Sequence, residues 1–165
     1  MAFVPIIMGS RADLKHGEAI AAALAGFGVD AEIRVASAHK SPFYLLEMLK
    51  VYESDGRAKV YITVAGRSNA LSALIDAQVT APVIACPPYS DRYGGADIFS
   101  SLRMPSGVAP AVVVAPDGAA LVAAKIFALS DPAIHLRVRA ARHNMDAKIR
   151  EDDANLRGVR QGTPA

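Results

Sequence analysis

The stretch FVPIIMGSRAD, residues 3–13, sets the pattern that decides the fold prediction. Its apolar half, residues 3–8, predicts a buried β-strand, although Pro5 would weaken a strand at an interior position. Its polar half predicts a turn into a helix, because Ile20 and Leu24 follow at helical spacing. A strand, a turn and a helix in this order are typical of a parallel sheet with crossover helices.

The same alternation continues along the chain. Apolar segments predict further strands over 31–35, 59–64, 82–85 and 111–114. Helices are predicted up to Gly28, from Ser41-Pro42 to Tyr52, over 69–78, 96–102 and 119–129, and over a long segment from about 133 to 156. We therefore predict the α/β class, as a three-layer, doubly wound, flavodoxin-like parallel sheet with about five strands and a long C-terminal helix.

The composition fits one folded domain rather than a disordered chain, because 52% of the 165 residues are hydrophobic and 21% are charged. We predict one domain over residues 1–157, which includes the helix over about 133–156, and a frayed tail over 158–165. Because Trp is absent and aromatic residues amount to 6%, the core must consist mainly of Ala, Val, Leu and Ile.

Several function classes lack support. The single cysteine, Cys86, excludes an internal disulfide framework and a multi-cysteine zinc site, and it fits a reducing compartment such as the cytoplasm. A net charge of +2 without a basic stripe gives no indication of nucleic-acid binding. The longest apolar run, residues 3–8, is far shorter than the ~20 residues of a membrane helix, and no basic segment precedes it. We therefore expect no membrane span, no signal peptide and, from the residue spacing, no metal site.

The loops that follow the first four strands form the candidate site, because ligands of parallel α/β sheets lie beyond the carboxyl ends of the strands. The first loop carries Gly9, Ser10 and Asp13 at a helix start, where free N–H groups and the helix dipole favour an anion such as a phosphate. On this loop alone, capping of the helix by Ser10 or Asp13 is the better-supported interpretation. The glycine motifs of dinucleotide-binding folds and of NTPases are absent from the sequence.

The second and third loops carry the residue types of acid–base catalysis and anion binding. In Ser37-Ala38-His39-Lys40, the imidazole suits proton transfer near neutrality and the lysine suits a phosphate or carboxylate, with a surface turn as the alternative. In Gly66-Arg67-Ser68-Asn69, the glycine lets the backbone approach a ligand closely and the next three residues offer donors. Asn69 equally suits the N-cap of the following helix.

For each of the remaining polar segments, a structural role is an alternative to a functional one. As a nucleophile Cys86 would need an activating base, so we favour a small buried apolar group. Residues 89–95 fit a mobile lid or an ordinary loop, and residues 100–107 fit further anion contacts or the end of a helix. The other histidines are predicted to be solvated or structural, namely His16, His135 and His143.

Several separated motifs point to one family. They are MGSRAD (8–13), FGV (27–29), SAHK (37–40), AGRSNALS (65–72), ACPP (85–88) and SSLRMPSG (100–107). Together they resemble the PurE family of purine biosynthesis over roughly residues 3–156. The last three of these motifs, AGRSNALS, ACPP and SSLRMPSG, resemble its class II branch, the phosphoribosylaminoimidazole carboxylases. Class I mutases typically carry Arg where this chain has Lys40, and a second histidine, in a His-Leu-Pro-Gly context, in the loop that here holds residues 66–69.

The resemblance implies carboxylation of 5-aminoimidazole ribonucleotide at C4 by carbon dioxide, without ATP, biotin, a metal or another cofactor. It implies that His39 transfers the proton, that Ser10, Asp13, Ser37 and Lys40 hold the ribose phosphate, and that Gly66, Arg67 and Ser68 shape the carbon dioxide end. Gly9, Ala38 and Asn69 complete the predicted substrate-binding set. One position departs from the family motif, since Ala12 replaces a serine whose hydroxyl would contact the ribose phosphate.

The resemblance also implies a cytoplasmic homo-octamer in which the C-terminal helix packs on a neighbouring subunit; a helix folded back on its own chain is the alternative. Class I mutase activity on N5-carboxyaminoimidazole ribonucleotide is the nearest rival function. A flavodoxin-like module that binds flavin or receives a phosphoryl group is a more distant one. The ends of the first and third strands lack a receiver's acidic residues, and the loops offer few aromatic residues for a flavin.

Overall fold

The computed structural model describes residues 2–157, and within them five parallel strands form one sheet. The strands are β1 (Phe3–Met8), β2 (Asp30–Val35), β3 (Tyr61–Val64), β4 (Val83–Ala85) and β5 (Ala111–Val112). Their order across the sheet is β2-β1-β3-β4-β5. The chain therefore runs from β1 outward to β2 and then returns past β1 to the other three strands. This topology confirms the predicted doubly wound α/β fold.

Helices cover both faces of the sheet. In residues 2–157 they are α1 (Leu14–Gly26), α2 (Pro42–Ser54), α3 (Ala70–Asp76), α4 (Phe99–Leu102), α5 (Pro116–Phe127) and α6 (Pro132–Arg157). Helices α1 and α5 pack on one face together with the start of α6, and α2 and α3 pack on the other. The predicted three-layer arrangement is therefore observed.

Strand β1 lies at the centre of the sheet and contributes to both cores. Val4, Ile6 and Met8 pack against the α1 and α5 layer, whereas Phe3 and Ile7 pack against the α2 and α3 layer. All six residues of the strand are buried, as expected for a parallel strand covered on both faces. Its proline is accommodated because continuous pairing with β3 begins one residue later, at Ile6.

Several predicted boundaries were wrong by a few residues. The third strand begins at Tyr61, and Lys59 forms only an isolated bridge with Phe3. The fifth strand ends at Val112, and α5 already begins at Pro116. The short helix over 96–102 is an α-helix only over Phe99–Leu102, and a 3-10 segment precedes it. The predicted tail over 158–165 lies outside the described residues.

Two helix-end predictions had different outcomes. Gly28 follows the C-cap of α1 with a φ of 69°, which confirms its predicted role. Pro42 occupies the first turn of α2 as predicted, but Ser41 makes no side-chain capping bond to that helix. Its hydroxyl instead accepts a hydrogen bond from the backbone N–H of Ser37, because the preceding loop folds back on the helix start.

Helix α6 continues beyond the sheet that it helps to cover. Its only buried residues are Ile134 and Val138, near its start, where it contacts α5. Most of the remaining helix is exposed. Among residues 2–157, no helix has the length and apolar character needed to cross a membrane.

Candidate active site

A cavity of about 520 Å³ lies at the carboxyl edge of the sheet, where the predicted loops meet. It is lined by every predicted site residue except Asn69, that is by Gly9, Ser10, Asp13, Ser37, Ala38, His39, Lys40, Gly66, Arg67 and Ser68. It is also lined by Ala12, Ala65, Leu71, Pro88, Tyr89, Ser90, Arg92 and Asp97. The topology brings these residues together because the strands that precede the four loops are neighbours and parallel.

The first loop combines a capping serine with a carboxylate, that of Asp13, for which residues 2–157 provide no hydrogen-bond or salt-bridge partner. The Oγ of Ser10 accepts a hydrogen bond from the N–H of Ala12 at 3.2 Å and caps the 3-10 turn over Arg11–Asp13. Asp13 makes no side-chain cap to α1. Burial raises the pKa of this carboxyl, and the positive charges of His16 and Arg67 oppose that rise. Asp13 is thus half-buried at the cavity wall and within electrostatic range of Arg67.

The second loop is a compact turn that presents its two chemically active residues to solvent. The Oγ of Ser37 accepts a hydrogen bond from the N–H of Lys40 at 3.2 Å, and the N–H of Ser41 donates to the Ser37 carbonyl at 2.9 Å. These bonds hold the loop backbone before any ligand binds. The side chains of His39 and Lys40 are exposed at the cavity rim.

The third loop contains a strained backbone. The N–H of Ser68 donates to the Gly66 carbonyl at 2.8 Å, which closes a three-residue turn around Arg67. Arg67 has a φ of 61°, in the left-handed region that non-glycine residues rarely adopt. Such a conformation costs about 1–3 kcal/mol and occurs most often at functional sites. The N–H of Arg67 donates to the Oδ2 of Asp97 at 3.0 Å.

The capping alternative for Asn69 is observed, whereas its predicted contact with the ligand stays a prediction. Its side-chain oxygen accepts a hydrogen bond from the N–H of Ser72 at 3.2 Å, in the first turn of α3. Its side-chain Nδ2 donates to the Oγ of Ser101 at 2.8 Å. Asn69 is 3% exposed and lies outside the cavity lining, so its polar atoms serve the fold.

Cys86 is fully buried, as we favoured from the sequence. Its Sγ lies 3.3 Å from the Nε2 of His16 and 3.8 Å from the Val114 carbonyl oxygen. Burial, and to a smaller extent the charge of Asp117, raises the pKa of this thiol to about 12, so the sulfur is neutral at physiological pH. His16 is half-buried; burial lowers its pKa, and a backbone hydrogen bond to Cys86 opposes that effect.

The fourth loop also lines the main cavity, through residues for which the sequence indicates only a lid or an ordinary loop. A second, mainly apolar cavity of about 370 Å³ adjoins the first, and the two share Ala65, Gly66, Pro88, Tyr89, Ser90 and Asp97. Asp97 follows this loop and carried no signal in the sequence, because its partner lies 30 positions earlier in the chain.

The segment over 100–107 does not line the main cavity. The alternative that this segment contains the end of a helix is observed, since α4 ends at Leu102. Two of its serines instead hold the third loop, because the Ser100 hydroxyl accepts from the N–H of Asn69 and the Ser101 hydroxyl accepts from its side chain. No group of three or more potential metal-ligating residues occurs in the part of the chain that the structure describes.

The comparisons with known proteins identify the family. The family model described as AIR carboxylase matches residues 3–148. This chain belongs to the AIR carboxylase family. The family predicted from the loop motifs is thereby confirmed, and its members are enzymes of purine biosynthesis.

Relatives in the AIR carboxylase family match nearly the whole chain. Phosphoribosylaminoimidazole carboxylase of Archaeoglobus fulgidus is 54% identical over 152 residues, which are 92% of this chain and 83% of the relative. The enzyme of the same name from Treponema denticola is 51% identical and covers 93% of this chain and 97% of the relative. The crystal structure of Treponema denticola PurE superposes with a TM-score of 0.93 at 51% identity, over 94% of this chain and 99% of that one.

Proposed function

We propose that this chain carboxylates 5-aminoimidazole ribonucleotide at C4 with carbon dioxide, reversibly and without ATP, to give the 4-carboxy ribonucleotide. The observation that carries the proposal is the composition of the third loop, where Arg67 and Ser68 line the same cavity as His39. Class I mutases, by the resemblance, have a second histidine in that loop. A loop that offers a guanidinium and a hydroxyl suits a carboxylate product, whereas it lacks the second acid–base group of the mutase.

The substrate's phosphate fits the other end of the cavity. Gly9 and Ser10 lie at the start of the turn into α1, where the positive end of the helix dipole favours an anion, although the N–H groups of Gly9, Ala12 and Asp13 already donate to acceptors of the protein. Ser37 and Lys40 line the same cavity, and the ammonium adds positive charge. Asp13 is placed to accept hydrogen bonds from ribose hydroxyl groups.

The chemistry needs one proton transfer in addition to the positioning of two reactants. The aminoimidazole is enamine-like, so its C4 attacks the carbon of carbon dioxide, a C–C bond forms and one oxygen takes up the electron pair. His39 then removes the C4 proton, which restores the aromatic ring, and the reverse reaction uses the protonated imidazole. Holding both reactants in a closed site contributes several kcal/mol, on the order of 7–11 in favourable cases.

A paired assay tests the proposal against the mutase alternative. One reaction contains 5-aminoimidazole ribonucleotide and bicarbonate without ATP, and the other contains fresh N5-carboxyaminoimidazole ribonucleotide. We expect the absorbance of the 4-carboxy product to rise in the first reaction, at a rate that increases with dissolved carbon dioxide. A rate above the non-enzymatic background only in the second reaction would identify a mutase. Purified protein without the yellow colour of flavin would argue against a flavin carrier.

We also infer that residues 1–157 act as one domain that assembles into a homo-octamer in the cytoplasm. The assembly is supported by an apolar stripe along α6 that continues in helical register from its buried start to Met145, Ile149 and Leu156, which are 55%, 68% and 69% exposed. A second copy of the chain would cover this stripe. Light scattering should give eight subunits, and the variant Ile149→Glu should dissociate the assembly, whereas the variant Ala147→Glu, at an exposed position on the opposite side of α6, should not. The cytoplasm is supported by the unpaired thiol of Cys86.

A further inference from the structure

The side chain of Asp97, which lies outside the third loop, forms a hydrogen bond with the strained turn of that loop. The Oδ2 of Asp97 accepts a hydrogen bond from the N–H of Arg67 at 3.0 Å, and both residues line the main cavity. Arg67 holds a φ of 61° within a turn that is closed by a hydrogen bond from the N–H of Ser68 to the Gly66 carbonyl. Without an external acceptor, an arginine at this φ is expected to relax toward negative φ. That change would redirect its side chain, because the Cα–Cβ bond rotates with the backbone.

Asp97 is itself fixed against the same loop. Its carbonyl accepts a hydrogen bond from the Ser100 hydroxyl at 2.8 Å, and that hydroxyl accepts from the N–H of Asn69 at 3.1 Å. The side chain of Asn69 adds a bond of 2.8 Å to Ser101. Segment 97–101 and loop 67–69 are thus joined at three points. Of these three hydrogen bonds, the one from the N–H of Arg67 to Asp97 involves the residue with positive φ.

We propose that Asp97 is a positioning residue, which holds Arg67 in its left-handed conformation and thereby keeps the guanidinium at the carboxylate end of the cavity. The inference rests on the proposed function, because it assigns to Asp97 the support of a side chain that faces carbon dioxide and the product carboxylate. Asp97 acts through its acceptor oxygen, so an amide oxygen at the same position serves equally well.

The first test compares the variants Asp97→Asn and Asp97→Ala in the carboxylation assay. We expect D97A to lower kcat/KM for carbon dioxide at least 10-fold, with less than a threefold change in KM for the ribonucleotide. D97N retains an acceptor, and its kcat/KM should stay within threefold of the unmodified protein. If D97N is as impaired as D97A, the charge rather than the acceptor matters, and the proposal is wrong.

The second test removes the strain at residue 67. Glycine adopts positive φ at no steric cost, so the variant Arg67→Gly makes the support of Asp97 unnecessary. The backbone N–H of residue 67 is present in both backgrounds, so we expect D97A to lower Tm by about 2–4 °C in R67G, the shift that one ordinary hydrogen bond causes at this size. In the unmodified chain we expect a smaller shift, because the relaxation of Arg67 releases strain and offsets part of the lost hydrogen bond. Equal shifts in both backgrounds would overturn the proposal. If D97A fails to fold, a kcat/KM for D97N more than threefold below that of the unmodified protein would still overturn the proposal.

A crystal structure of D97A separates this inference from the proposed function. We expect φ of residue 67 to leave the positive region in that variant, and a φ that stays near 60° would overturn the positioning role. This result does not depend on activity. An unmodified protein without carboxylation activity would therefore refute the proposed function, while the φ of Arg67 would still decide the role of Asp97.

Discussion

The Nε2 atom of His16 lies 3.3 Å from the Sγ atom of Cys86, and this contact joins α1 to the carboxyl end of β4. The two residues are 70 positions apart in the chain. His16 follows Asp13 by one helical turn, and Cys86 begins the loop that contributes Pro88 and Ser90 to the cavity. The contact therefore connects the helix that follows the first loop to the loop that follows β4, and both loops line the candidate site.

This contact predicts a dependence of stability on pH. Burial lowers the pKa of His16 below its ordinary value of 6.5. The folded state therefore binds fewer protons than the unfolded state as pH falls below about 6.5, and the unfolding free energy decreases there. We expect the variant His16→Gln to show a shallower decrease between pH 7 and pH 5 in urea denaturation. The same exchange at the exposed His135 is the control, and equal slopes for H16Q and the unmodified protein would refute this prediction.

The raised pKa of Cys86 predicts an unreactive thiol. At pH 8 the folded protein should react with iodoacetamide at least 100-fold more slowly than the same protein in denaturant, because the thiolate is scarce and the sulfur is fully buried. Mass spectrometry of the intact protein measures both rates. Rapid labelling under native conditions would show that the contact with His16 opens.

The two glycines of α1 predict opposite effects of one substitution. A Cβ at Gly17 would lie 2.8 Å from the Sδ of Met8, in the core between the helix and the sheet, whereas a Cβ at Gly26 would meet no atom within 4 Å. We expect Gly26→Ala to raise the unfolding free energy by about 0.5–1 kcal/mol, through helix propensity. We expect Gly17→Ala to lower it by about 1–3 kcal/mol, through overpacking. Urea denaturation measures both, and a stabilised G17A would contradict the packing.

Because Ala12 departs from the family motif, we predict that a serine at this position raises the affinity for the ribonucleotide. Ala12 lines the cavity next to Ser10, where the family motif has a serine. We expect Ala12→Ser to lower KM for the ribonucleotide by about 10-fold, because a hydrogen bond to a charged phosphate contributes about 1.5 kcal/mol or more. The variant Ala19→Ser, at an exposed position of α1, serves as the control. An unchanged KM in A12S would mean that other donors already satisfy the phosphate.

The proposed proton transfer predicts a large effect at one histidine. His39→Asn should lower kcat by roughly 10²–10⁴-fold while Tm changes little, because the side chain is exposed at the cavity rim. Steady-state kinetics and a thermal melt measure the two quantities. The variant His143→Asn, on the exposed part of α6, should keep full activity. A kcat for H39N above one tenth of the unmodified value would assign the proton transfer to another group.

The sequence predicted the elements of the sheet better than their ends. Alternation of apolar and amphipathic segments identified all five strands of the described residues. The errors fall where local pattern and tertiary hydrogen bonding differ. Lys59 directly precedes the apolar residues of the third strand, but it forms only an isolated bridge with Phe3. Ser41 has a residue type that favours the N-cap of a helix, but its hydroxyl accepts a hydrogen bond from the N–H of Ser37. Which of these hydrogen bonds forms depends on which residues the tertiary structure brings close together.

The sequence by itself determined which loops meet in the candidate site, because a parallel doubly wound sheet brings the carboxyl ends of neighbouring strands to one edge. Residues next to a strand end, such as His39 and Gly66, are therefore placed by topology alone. Only the tertiary structure decided which residues support them. Asp97 reaches Arg67 across 30 positions, and His16 reaches Cys86 across 70. Contacts between such distant positions follow from the packing of loops and helices, which leaves no periodic trace in the sequence.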